Sequence, residues 1–200
     1  MRINILSRAA LGVVILLPSL KASAQKVDIR PIPEQIAAAI LPLPEDMRAE
    51  AGVIGFKTAG KSELLRPSKN GMTCLGNDPA GPNFHVACYA NSMEPFMLRG
   101  RELREGGTGG PEVDSVRFRE VKSGKLKMPA FPASLYQLNG PKGDFNPATG
   151  LAPNAKPTYV VYIPFATSQS TGLSTKGSAG RPWIMYPGTP KAHIMITGTM

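Results

Sequence analysis

VIGFKTAGKSELLRPSKNGMTCLGNDPAGPNFHVACY, residues 53–89, is the stretch on which the fold turns. Its apolar runs at 53–56, 63–66, 72–75 and 84–89 are short and are separated by Gly, Pro, Asn and Asp. Runs of this length between turn-forming residues describe strands of an antiparallel meander. Asn70-Gly71 is the sharpest punctuation, because that dipeptide tolerates the positive φ angles of a tight hairpin turn. A second cluster, Asn77-Asp78-Pro79-Ala80-Gly81-Pro82, lies near the midpoint between Cys74 and Cys88. A turn there places the two cysteines on neighbouring strands.

Within the same stretch, Gly55-Phe56-Lys57-Thr58-Ala59-Gly60-Lys61-Ser62 satisfies the phosphate-binding pattern G-x-x-x-x-G-K-[ST]. A working phosphate loop needs a helix after it, whose first amides hold the anion. Pro67 and Asn70-Gly71 follow too soon to leave room for one, so the octapeptide reads as a hairpin turn around 58–61.

On the N-terminal side, Pro33, Glu34 and Gln35 suit a first helical turn and Ile36-Ala37-Ala38-Ala39-Ile40 continues it, until Pro42 and Pro44 intervene. A second short helical turn is expected over 45–51. Further out, Arg2 and Arg8 precede an apolar run at 9–20, and Ala22-Ser23-Ala24 supplies small residues at a cleavage site. This is the pattern of a secretory signal peptide over 1–24, and the run is shorter than the ~20 residues a bilayer span requires. The expected product begins at Gln25, is periplasmic or secreted, keeps no transmembrane segment, and consists of an N-terminal helical segment (25–50) and a single domain (51–200). In an oxidising compartment, two cysteines and no others favour a Cys74–Cys88 disulfide.

On the C-terminal side, Ser92 reads as an N-cap, with Glu94 and Pro95 in the first turn. Met93, Phe96, Met97, Gly100 and Leu103 then share one helical face. Pro111 suits the start of another helix running to about Ser123 and closed by Gly124, although the alternation of Val116, Phe118 and Glu120 also admits a strand. Three strands are expected at 134–138, 158–163 and 193–197, and a short fourth at 183–186. The loops at 139–157 and 164–182 are long. The expected fold class is α+β, an antiparallel meander sheet with two or three helices packed on one side.

Chemistry is sparse. There is no G-x-S-x-G, H-E-x-x-H or C-x-x-C pattern. His193 and Met195 share a strand face, and Met93 and Met97 could add soft ligands, but methionines at i and i+4 of an amphipathic helix are ordinary core filler. No metal or other cofactor is expected. Arg117, Arg119, Lys122, Lys125 and Lys127 read as a solvated charged helix face. Removal of the leader leaves 20 basic and 14 acidic residues, a charge of +6. That excess suits an anionic envelope component, and with 6% aromatics and no basic run interleaved with stacking residues it does not suggest nucleic acid.

The segments Thr73-Cys74-Leu75, His85-Val86-Ala87-Cys88-Tyr89, Met93-Glu94-Pro95-Phe96-Met97, Leu126-Lys127-Met128-Pro129, Tyr159-Val160-Val161-Tyr162-Ile163-Pro164-Phe165, and Pro182-Trp183-Ile184-Met185-Tyr186-Pro187-Gly188-Thr189-Pro190 with Ala192-His193-Ile194-Met195 resemble those of a group of uncharacterised exported bacterial proteins. The resemblance spans 50–200. It implies a secreted single domain and assigns no catalytic residue.

The functional expectation is an exported envelope protein that is non-enzymatic or ligand-binding, its partner an anionic envelope component or a small molecule. Trp183, Tyr186 and His193, among three prolines, form a rigid amphipathic wall suited to a small-molecule site. The alternative is a small hydrolase or isomerase in which His193 acts as general base, which requires a carboxylate or hydroxyl beside the imidazole.

Overall fold

The computed structural model describes residues 27–198, and the leader expected at 1–24 lies outside them. All eight apolar runs named above are strands: β1 (Gly52–Thr58), β2 (Lys61–Arg66), β3 (Met72–Leu75), β4 (Phe84–Ala90), β5 (Ala133–Gly140), β6 (Lys156–Tyr162), β7 (Trp183–Met185) and β8 (His193–Thr197). They make one open sheet in the order β2-β1-β3-β4-β5-β6-β8-β7. The fold is α+β, and the sheet is larger than a simple meander.

It also departs from a meander at one pairing, since β3 runs parallel to β1. β2 ends beside the start of β1, where Arg66 is paired with Val53. Residues 67–71 then cross that end, tied down by Lys69 N–H donating to Glu50 O at 2.8 Å and Asn70 Nδ2 donating to Met47 O at 2.7 Å. Five residues cannot return the chain to the far end of β1, so β3 starts where β1 starts and must run the same way. The turn expected at Asn70-Gly71 therefore launches β3 and does not close a β2–β3 hairpin. Gly71 has φ +80°, and Asn70 Oδ1 accepts from Met72 N–H.

The octapeptide 55–62 is a hairpin, with Thr58 opposite Lys61 and Gly60 at φ +76°. Gly55 serves a packing purpose. A Cβ there would lie 2.6 Å from Gln35 Oε1 and 2.5 Å from Leu65 Cδ1. The buried Gln35 uses that gap to dock on β1 just past the last β3 pairing: its Oε1 accepts from Phe56 N–H and its Nε2 donates to Phe56 O, both at 2.8 Å. The side chain thus continues the ladder that β3 abandons.

Helices α1 (Ile32–Ala39) and α2 (Glu45–Arg48) lie on one face of the sheet, while α3 (Glu94–Glu105) and α4 (Gly110–Lys122) lie on the other. This corrects the expectation of helices on one side. On β4, Phe84, Val86 and Cys88 alternate with Ala87 and Tyr89, and all five are apolar, so each face needs its own cover. Cys88 packs with Ala39 and Leu43, whereas Tyr89 packs with Met93 and Phe96. Ser92 is not the cap of α3; it lies inside a 3-10 turn (Asn91–Met93), and Met93 holds the cap position without a side-chain cap hydrogen bond. α4 forms as a helix, with Gly124 at φ +76° just beyond it. The loop 164–182 contains a further short helix, α5 (Ser168–Thr171), with a capping box between Thr167 and Ser170.

Cys74 and Cys88 face each other directly across β3 and β4, with Cα atoms 3.9 Å apart and the sulfurs bonded. Loss of this bridge in Cys74→Ala lowers stability by about 3 kcal/mol, read as a drop of several degrees in melting temperature. Gln35→Leu leaves both polar groups of Phe56 without their partner. A stability loss of about 2 kcal/mol in urea, with faster amide exchange at Phe56, is the expected result.

Candidate functional site

Where β6, β7 and β8 meet the segment 186–192, polar and aromatic side chains cluster against α4. Strand pairing puts Met185 opposite His193 and His193 opposite Tyr162, so all three face α3 and α4. The His193 ring lies 5.1 Å from that of Tyr162 and 5.8 Å from that of Tyr186. His193 is buried, and its Nδ1 lies 2.7 Å from Lys191 O. A carbonyl can only accept, so Nδ1 carries the proton and the lone pair of the neutral ring lies on Nε2. Desolvation lowers the pKa of His193, opposed by the Lys191 carbonyl and aided by the Lys191 charge.

Lys191 links this group to α4. Its Nζ is 2.9 Å from Asp114 Oδ2 and 4.6 Å from the centre of the Tyr186 ring. Asp114 also accepts from Arg117, whose guanidinium lies 3.9 Å from the Phe96 ring centre and donates to Phe96 O. Desolvation is the largest influence on Asp114 and raises its pKa, but hydrogen bonds from Lys191 and Arg117 overcome it and hold the carboxyl below its ordinary value. Burial pushes the Tyr162 hydroxyl up to about 12.

Of the expected wall, Tyr186 and His193 are brought together. Trp183 shares their face but its ring rests about 3.3 Å from where a Cβ on Gly177 would stand, so it anchors the 172–182 loop. His85, the other histidine, is exposed on β4, where it pairs with Asn139 at the opposite end of β5 from this group. Arg117 is the member that sequence reasoning misplaced: it is 3% exposed and not part of a solvated face. The available signal was its position four residues after Val113 on the buried stripe of α4.

A second candidate lies at the opposite end of β5. A cavity of about 660 Å³ is bounded by residues 27–31, by α1, and by the loops that carry Asn77–Ala80 and Lys142–Phe145. Phe84 and Phe145 form an apolar wall, stacked with ring centroids 6.5 Å apart and 10° between planes. Arg30 is part of the rim; it pairs with Glu34 at 3.1 Å, donates to Phe145 O and sits 5.6 Å from the Phe145 ring centre. Asp28 and Lys142 add charge of both signs. Its residues come from four separated segments, Phe56 of β1 being the fourth, which is why no local pattern announced it.

Among the described residues, no group of three or more His, Cys, Asp or Glu is placed to hold a metal ion, and no helix is long and apolar enough to cross a membrane. Met93 is a buried core residue. These features define an α+β protein with an open mixed sheet, a ligand-sized cavity at one end and a polar-aromatic cluster at the other. Compared with family models, curated proteins and solved structures, the chain matches none.

The burial of His193 makes stability depend on pH. Because its folded pKa lies below the ordinary 6.5, the unfolded chain binds the proton more readily, so its contribution is complete above about 6.5 and is lost as pH falls. Urea midpoints measured from about pH 8 to about pH 5 decline for the native chain, and the decline is shallower in His193→Asn.

Proposed function

We propose that this chain is an exported, non-enzymatic protein that binds a small amphipathic molecule in the cavity between α1 and the 142–145 loop. The observation that carries the reading is the cavity itself. At about 660 Å³ it falls in the range of small-molecule sites, and it combines an aromatic wall with a charged rim. The complementary ligand has a flat apolar body and at least one charged group. Export to a periplasmic or extracellular compartment is supported by the leader pattern at 1–24 and by the Cys74–Cys88 bridge, which an oxidising environment maintains.

The reading in which His193 acts as general base has less support. The imidazole is enclosed by Tyr162 and Tyr186, Nδ1 is committed to a backbone carbonyl, and Asp114 is already engaged by Lys191 and Arg117.

Anilinonaphthalene sulfonate, which has an aromatic body and one anionic group, is a suitable first probe. Saturable binding to the native chain is expected, with loss in Ala80→Trp, a rim substitution at an exposed position that leaves the melting temperature unchanged. Phe131→Ser, at the other end of the sheet, controls for dye adsorbed elsewhere. Equal dye binding in the native and Ala80→Trp proteins would exclude the cavity.

A further inference from the structure

We infer that the end of the sheet opposite the cavity docks on a lipid bilayer bearing anionic headgroups, through Phe131, Phe165 and Tyr186 flanked by Lys125 and Lys127. This rests on the exported reading only in supplying the bilayer, and it does not require the cavity to bind anything.

The first observation is apolar exposure. Phe131 is 80% exposed, more than any other large apolar side chain among the described residues, and Phe165 and Tyr186 are 53% and 44% exposed. The three are neighbours. Phe131 and Phe165 line one surface groove of about 390 Å³ whose other walls are Met128, Pro and Ala residues and Ile163. Hydrogen bonds from Phe165 N–H to Thr189 O and from Gly188 N–H to Ala166 O bind the Tyr186 turn to the same loop. Exposed aromatic side chains clustered on one surface mark an interaction site, and aromatic rings suit the depth of lipid headgroups.

The second observation selects the occupant by charge. Of the eight basic residues in 121–200, Lys125, Lys127 and Lys191 belong to segments that adjoin the groove, whereas Lys142 and Lys156 lie at the cavity end of the sheet together with Asp144, the one acid of 121–200. No acidic residue lies in the segments 121–132 and 163–166 that build and lead into the groove. Lys125 and Lys127 lead directly into Met128 at its edge and are exposed. Of the three carboxylates on the adjoining α4, Asp114 is covered by Lys191 and Arg117, Glu120 is held by Arg99 at 2.8 Å with Lys125 at 3.8 Å, and Glu112 pairs with Arg119 at 3.5 Å. Protruding rings beside lysines, with the nearby acids neutralised, complement a surface that is apolar inside and anionic outside. A concave apolar partner would not by itself require the lysines.

The test is co-sedimentation of the full mature chain with vesicles of phosphatidylcholine alone and of phosphatidylcholine mixed with phosphatidylglycerol. The native protein sediments with the mixed vesicles, weakly with the neutral ones, and less as salt is raised. Phe131→Ser lowers the partition constant about ten-fold, and each of Lys125→Gln and Lys127→Gln lowers it about five-fold on mixed vesicles only. Phe165→Gly places glycine at a left-handed φ of +66°, which glycine accepts without strain, so it removes a ring while retaining the fold. Failure of the native protein to sediment with mixed vesicles at low salt, or equal binding by Phe131→Ser, overturns the proposal. Sedimentation velocity showing a dimer that Phe131→Ser converts to monomer, without vesicle binding, would instead assign the patch to a second copy of the chain. Dye binding in the cavity is unaffected by any of these results, so the two readings fail separately.

Discussion

β4 is the strand on which the rest of the structure depends, because it must bury both of its faces. Phe84, Val86 and Cys88 demand cover on one side, and Ala87 and Tyr89 on the other. Fully burying one such side chain contributes about 1.5–3 kcal/mol, so neither face can be left to solvent without losing a large part of a domain's net stability. Two layers of helix follow from that alternation. α1 arrives from before the sheet and α3 from directly after β4, and the central position of β4, between β3 and β5, makes the same residues the meeting point of both cores. The disulfide reinforces this strand at the point where Cys88 Sγ also lies 3.2 Å from Ala39 O.

The strands were legible because each is a local event. Apolar runs bounded by Gly, Pro, Asn and Asp identify them, and the cysteine pairing followed from a turn lying midway between two short strands. What escaped was non-local. Nothing within 67–71 states that the chain crosses the end of β1, because the ties that hold it come from Glu50 and Met47 on the preceding segment. The ladder role of Gln35 is likewise invisible until Gly55 and Phe56 are brought to it, although a glycine inside a strand pattern is the usual mark of a close approach. The functional features divide in the same way. Tyr186 and His193 are close in sequence and were found as a pair, while the cavity joins Phe56 with residues from 27–38, 77–84 and 142–145, which only the fold assembles.

Arg117 shows why charge patterns on a helix mislead when read alone. Burying a guanidinium costs several kcal/mol unless its hydrogen bonds and charge are answered. Here Asp114 supplies the charge, Phe96 supplies a carbonyl and a ring face, and Lys191 shares the carboxylate from β8's side of the sheet, which leaves only Nε of the guanidinium without a hydrogen-bond partner. The network therefore ties α4 to the segment that carries Tyr186 and His193. Such a tie favours one docking angle of α4, since a helix rotated by one residue would separate Arg117 from both Asp114's partner Lys191 and the Phe96 ring.

Among the described residues, the two non-glycine residues with left-handed backbone are Tyr186 on this segment, at φ +53°, and Phe165 on the loop hydrogen-bonded to it, at φ +66°. A bulky residue in that region costs on the order of 1–3 kcal/mol and persists only where the surroundings over-determine it. Both turns meet that condition. Thr189 donates from N–H and Oγ1 to Tyr186 O, its own carbonyl accepts from Phe165 N–H, and its Oγ1 accepts from Lys191 N–H. One threonine thus closes the Tyr186 turn, joins it to the Phe165 turn and positions the lysine that reaches Asp114. Glycine would satisfy the backbone at both sites at less conformational cost, so the rings are not required by the turns. The two rings then differ in surroundings: Phe165 is about half exposed beside Phe131, whereas the Tyr186 ring, also partly exposed, lies over Lys191 and against His193, so the Tyr186 turn joins the surface to the buried Asp114 network.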